Sequence, residues 1–117
     1  MSRSGPERRE HPRVNACFSV SYRIIEETEY PSLSQAKNIS LGGILLTTNR
    51  KLEEGTNIAL EIRLPFDPDP IMITGRVLES REISRDLIYD TRINFQSIDE
   101  KHKGILKESI DYYIKKG

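Results

Sequence analysis

The sequence predicts a mainly β protein, a six- to seven-stranded antiparallel barrel closed by one C-terminal α-helix and preceded by a flexible N-terminal arm. Three observations predict it. Apolar residues alternate with polar ones through most of 14–96, the period of a half-buried strand. Glycine, proline, aspartate and asparagine punctuate those short runs, as hairpin turns require. From residue 97 onward the apolar spacing changes to three and four, the period of a helix. Many short strands joined by short turns favour closure, because a closed barrel has no edges left to pair with another chain. With 117 residues the chain supports one core and is too short for two. The expected organisation is therefore an arginine-rich arm over 1–13, a barrel over 14–96 and an amphipathic helix over 97–117, all in one domain.

Taken in order, Val14, Ala16, Phe18, Val20, Tyr22 and Ile24 put one face of the first strand inside, with Cys17, Ser19 and Ser21 on the other. Glu26 to Ser34, interrupted by Pro31, is a polar connection. A short strand follows near Gln35 to Ile39, the Leu41-Gly42-Gly43 turn ends it, and Ile44 to Thr48 extends again. Glu53-Glu54-Gly55 turns the chain before Asn57 to Leu64, where Ile58, Leu60, Ile62 and Leu64 alternate with polar or small residues. Phe66-Asp67-Pro68-Asp69-Pro70 breaks the pattern, since proline cannot donate to a central ladder. Ile71 to Glu79 resumes it, with Gly75 read as a bulge. A last hairpin turns near Arg85-Asp86 and returns through Leu87, Tyr89, Thr91, Ile93 and Phe95. Ser97-Ile98-Asp99-Glu100 fits a capping box, after which Ile98, Ile105, Leu106, Ile110, Tyr113 and Ile114 form a stripe expected to pack on the barrel.

Composition excludes several classes. Eighteen basic residues balance eighteen acidic ones, so no global field exists to hold a nucleic-acid polymer. No apolar run approaches the ~18 residues that span a bilayer, and the N-terminus lacks the apolar stretch of a secretory signal. One cysteine, Cys17, cannot form an internal disulfide, which agrees with a reducing compartment and a cytoplasmic location. Two histidines, His11 and His102, with that cysteine make no zinc spacing. No phosphate-loop motif occurs, and Ser40 lies outside a nucleophile elbow. Asp67 and Asp69, hemmed by prolines, read as a solvated turn. No catalytic constellation is present, and no cofactor or metal is expected.

Charge is uneven at the start. Arg3, Arg8, Arg9 and Arg13 face only Glu7 and Glu10 before residue 14, a small positive arm suited to one compact anion. Pro12 disfavours a helix through Arg9 and Arg13, so the pair sits on an extended or turned segment that can wrap a ligand. Each guanidinium can grip a phosphate with two donors, fork guanine O6 and N7, or stack on a purine. Further on, Asn38-Ile39-Ser40-Leu41-Gly42-Gly43 places Asn38 and Ser40 two apart, hence on one strand face, with glycines that let a ligand approach the backbone.

Read together, R-x-x-x-R at Arg9 and Arg13 and N-x-S-x-x-G from Asn38 to Gly43 resemble the signature of the PilZ family, small bacterial β-barrel domains that bind cyclic di-GMP. The resemblance extends over nearly the whole chain, through Gly55 before a strand, Phe95 ending the closing strand, and the terminal helix. Asn38 stands where that family commonly has aspartate, and Arg92 where glycine is often seen. The resemblance implies a non-catalytic cyclic di-GMP receptor whose site comprises Arg8, Arg9, Arg13, Asn38, Ser40, Gly42 and Gly43. The arginines would take phosphates and a guanine Hoogsteen edge, and the strand motif would take a guanine. An arginine at Arg8 further implies two intercalated ligand molecules per chain. Binding would order the arm and present a surface to an effector protein. Three alternatives stay open: a PilZ-like interaction adaptor that binds no nucleotide, a barrel for single-stranded nucleic acid, and an enzyme, for which no constellation exists.

Overall fold

The computed structural model describes residues 14–27, 31–64, 69–85 and 87–116. Six strands follow one another as β1 (Val14–Ile24), β2 (Ser32–Ile39), β3 (Gly43–Thr48), β4 (Asn57–Arg63), β5 (Ile71–Ser84) and β6 (Ile88–Ile98), ahead of one helix, α1 (Glu100–Lys116). They close into a barrel in the order β1-β2-β3-β6-β5-β4, with every neighbouring pair antiparallel. Alternation does the work: Val20, Tyr22, Ile44, Leu46, Ile58, Leu60, Ile62, Ile71, Ile73, Val77 and Ile93 all turn inward and form one core. Burying such side chains contributes about 1.5–3 kcal/mol each before the entropy of ordering is subtracted.

Gly75 holds an inward position between Ile73 and Val77 because nothing larger fits. A Cβ there would lie 2.7 Å from Ile93 Cγ2 and 2.9 Å from the Asn94 carbonyl oxygen. It is not itself the bulged residue. The β5–β6 register passes from Thr74 opposite Ser97 to Gly75 opposite Phe95, so the extra residue is Gln96 on β6. A second shift, between Val77 and Glu79, makes Leu78 an extra residue on β5. Beyond it β5 has no β4 partner, since that pairing reaches only to Arg76 opposite Asn57. The two strands continue as a ribbon, closed where the Leu87 N–H donates to the Ser84 carbonyl at 2.9 Å. Leu87, expected in the inward row, lies on this ribbon and is 65% exposed.

The helix begins later than the capping-box spacing suggests. Ile98 still pairs with Ile73 across β5–β6, so the barrel runs two residues past 96 and Ser97 is a strand residue. Asp99 is the N-cap instead: its Oδ1 accepts the His102 N–H at 2.8 Å, and its carbonyl accepts the Lys103 N–H at 2.9 Å. His102 Nδ1 in turn accepts the Met72 N–H at 3.2 Å, tying the first helical turn to β5. Leu106 and Ile110 enter the barrel's own core cluster, flanked by Ile105 and Tyr113. Ile114 falls off this stripe and is 47% exposed. Burial, and then the neighbouring Tyr112, push the Tyr113 phenol above its ordinary value.

Candidate functional site

The candidate residues within the described part of the chain gather where β2 hands over to β3. The β2–β3 register steps from Ala36 opposite Leu46 to Asn38 opposite Leu45, so β2 carries one extra residue. Ala36 and Ile39 are fully buried on either side of it. Both residues between them, Lys37 and Asn38, are thereby left on the outer wall of the barrel. Asn38 is half-buried there and Lys37 exposed.

Ser40 departs from its expected place on the same face as Asn38. It lies past the end of β2, is only 5% exposed, and turns its hydroxyl back onto the turn. Ser40 Oγ accepts the Gly42 N–H at 3.1 Å and the Gly43 N–H at 3.2 Å. It also lies 3.4 Å from the Gly43 carbonyl, which accepts the Ser40 N–H at 2.9 Å. The S-x-x-G spacing is thus, first of all, a self-satisfied turn. Gly42 joins it to the closing strand, its carbonyl accepting the Phe95 N–H at 2.9 Å. Gly43 is required by close approach: a Cβ would stand 2.4 Å from the Ile93 carbonyl oxygen. The left-handed conformation occurs elsewhere, at Gly55 with φ 88°.

Arg8, Arg9 and Arg13, with the whole arm over 1–13, lie outside the described residues. The register nevertheless fixes where that segment joins the barrel. Val14 pairs with Ile39 and Asn15 with Asn38, so β1 starts beside the end of β2.

Around them the outer wall carries an ordered row of charge. Leu45 is flanked by Asn38 on β2 and Arg92 on β6. Lys37 Nζ reaches over β3 to Asp90 Oδ1 at 2.7 Å. At the far end of β1 acidic residues predominate. A cleft of about 440 Å³ there is lined by Glu26, Glu27, Glu53 and Glu54 against Arg50 and Lys51, a poor seat for a dianion. Neither Lys37 nor Arg92 is among the site residues that the sequence motifs mark. Alternation alone turns Arg92 outward, but only the strand order, with β3 between β2 and β6, sets it beside the motif.

A closed six-stranded barrel with a serine-pinned β2–β3 turn and one C-terminal helix defines a small antiparallel β-barrel domain. The family model for the PilZ domain matches residues 7–112, and the chain belongs to the PilZ family. Among solved structures it is similar to the Bacillus subtilis inhibitor of motility MotI/DgrA, with TM-score 0.77 and 21% identity over 94% of this chain and 53% of that one. It is also similar to the PilZ domain with c-di-GMP of YcgR from Escherichia coli, with TM-score 0.65 and 15% identity over 93% of each chain. The K. pneumonia MrkH-c-di-GMP complex aligns with TM-score 0.73 and 20% identity over 93% of this chain and 53% of that one. At these identities the likeness establishes the fold. The chain spans about half the length of MotI/DgrA and MrkH. No curated protein matches the sequence. No described helix is long and apolar enough to cross a membrane, and no described group of three or more His, Cys, Asp or Glu could hold a metal ion.

Proposed function

We infer that this protein is a non-catalytic cyclic di-GMP receptor of the cytoplasm. The ligand sits between the 1–13 arm and the outer wall at the β2–β3 turn. One observation supports the reading: β1 begins opposite the end of β2, Val14 against Ile39 and Asn15 against Asn38, and Val14 directly follows R-x-x-x-R in the sequence. Arg9 and Arg13 grip phosphates and a guanine Hoogsteen edge, Asn38 meets a guanine, and Gly42 and Gly43 keep the backbone open to it. Ser40 serves the site by holding the turn. Arg8 adds a guanidinium for a second, intercalated ligand molecule. Closing the arm onto the barrel creates the surface that an effector protein reads. YcgR and MrkH are both described with c-di-GMP, which supports the same ligand class here.

The test is a calorimetric titration with cyclic di-GMP, alongside GTP and a short oligonucleotide, on the parent and on Arg8→Leu. Saturable binding of cyclic di-GMP alone, at two per chain in the parent and one in the variant, is the expected result. Tighter binding of the oligonucleotide would favour a single-stranded nucleic-acid barrel. The second reading, an adaptor that binds no nucleotide, draws on the self-contained Ser40 turn, which needs no ligand to satisfy its hydrogen bonds. Absence of heat with every nucleotide would establish it.

A further inference from the structure

On the outer wall beside the motif, among the described residues, Arg92 is a cation with no ion-pair partner. Arg92 lies outward on β6 between buried Thr91 and Ile93, opposite Leu45 on β3 and Glu79 on β5. Its two nearest acidic neighbours by register are already engaged. Asp90 holds Lys37 at 2.7 Å, and Glu79 lies 3.5 Å from Arg81. Among the described residues Arg92 itself makes no ion pair. A half-buried guanidinium is partly desolvated, so it gains more from a ligand than a free surface lysine would.

The Lys37–Asp90 pair measures what this surface permits. A side chain rooted on β2 crosses β3 and meets a group on β6, spanning about 10 Å between strand axes. Arg92 is the reciprocal case. Rooted on β6 with Leu45 between it and Asn38, it has the length to cross β3 in the other direction. Leu45, half-buried on the outer wall, is an apolar floor between the two. The row thus has an amide-bearing residue on one flank of Leu45 and a guanidinium-bearing one on the other, a spacing that suits a purine lying flat.

We propose that Arg92 is a base-selecting residue of this site: its guanidinium donates to O6 and N7 of the guanine whose other edge faces Asn38. The inference rests on the cyclic di-GMP reading above and adds a residue to it. The chemistry is selective because adenine offers an N6 donor where guanine offers the O6 acceptor, so the same fork is half repelled. The arm arginines take the phosphates that every cyclic dinucleotide shares and the Hoogsteen edge of another guanine, whereas Arg92 reads the guanine at Asn38.

The experiment is calorimetry with cyclic di-GMP and cyclic di-AMP on the full chain, comparing the parent with Arg92→Ala and Arg92→Lys. Arg63→Ala, an exposed cation on β4, controls for net charge. Arg92→Ala is expected to weaken cyclic di-GMP about 10-fold or more while moving cyclic di-AMP little, so that selectivity narrows by about the same factor. Arg92→Lys keeps charge without the fork, and is expected to lose selectivity while retaining more affinity. Equal losses for both ligands, or unchanged selectivity with unchanged melting temperature, would overturn the assignment. A parent that binds neither ligand would instead refute the receptor reading on which it rests.

Discussion

At the scale of single residues, the turn after β2 separates structural from ligand-facing roles. Ser40→Ala leaves two amide donors in a buried turn without their acceptor, at a cost of about 1–3 kcal/mol. The melting temperature of the free protein is therefore expected to fall, and Gly43→Val, which drives a β-branched side chain into the Ile93 carbonyl, is expected to prevent folding. Arg9→Ala and Arg13→Ala contrast with both. Each should weaken cyclic di-GMP by about 10- to 100-fold, or ~1.5–3 kcal/mol, with the unliganded melting curve unchanged. Calorimetry paired with thermal denaturation separates the two patterns. The sequence marks Asn38, Ser40, Gly42 and Gly43 as a cluster because the spacing is local. It does not distinguish a hydroxyl aimed at a ligand from one folded onto its own turn, since that depends on the strand ending at Ile39. Arg92 is invisible to spacing for a related reason: its neighbours come from strands whose order is not sequential.

At the scale of elements, the barrel is legible wherever one face is buried. β1 spans the run that alternation marks, Val14–Ile24, even though its register with β2 shifts between Asn15 and Phe18. Legibility fails where burial stops. The outer half of β5 pairs only with β6, so its residues have no inside and no period, and the sequence reading ended that strand at Glu79. The helix start fails differently. Ser97 and Asp99 are both competent caps two residues apart, and the choice is made by Ile98 remaining in β6. Asp99→Ala is accordingly expected to cost about 0.5–2 kcal/mol of stability, while Ser97→Ala stays near neutral. Chemical denaturation of the two variants checks this, and the reverse ranking would return the cap to Ser97.

At the scale of the whole molecule, zero formal net charge conceals a division of labour. Carboxylates line the cleft near Asn57, whereas the opposite end of β1 adjoins the arginine-bearing arm and Arg92. A small dianion is steered by such local asymmetry, where a long polymer would sense the neutral average. The helix is spent on the barrel core through Leu106 and Ile110, and in the proposed reading it is the arm that ligand repositions. The most direct test of this account is amide hydrogen exchange of the full chain with and without saturating cyclic di-GMP. Protection is predicted to rise over residues 8–13 and 38–43 while the 50–57 cleft stays unchanged. Protection confined to the cleft, or no change over either motif segment, would contradict it.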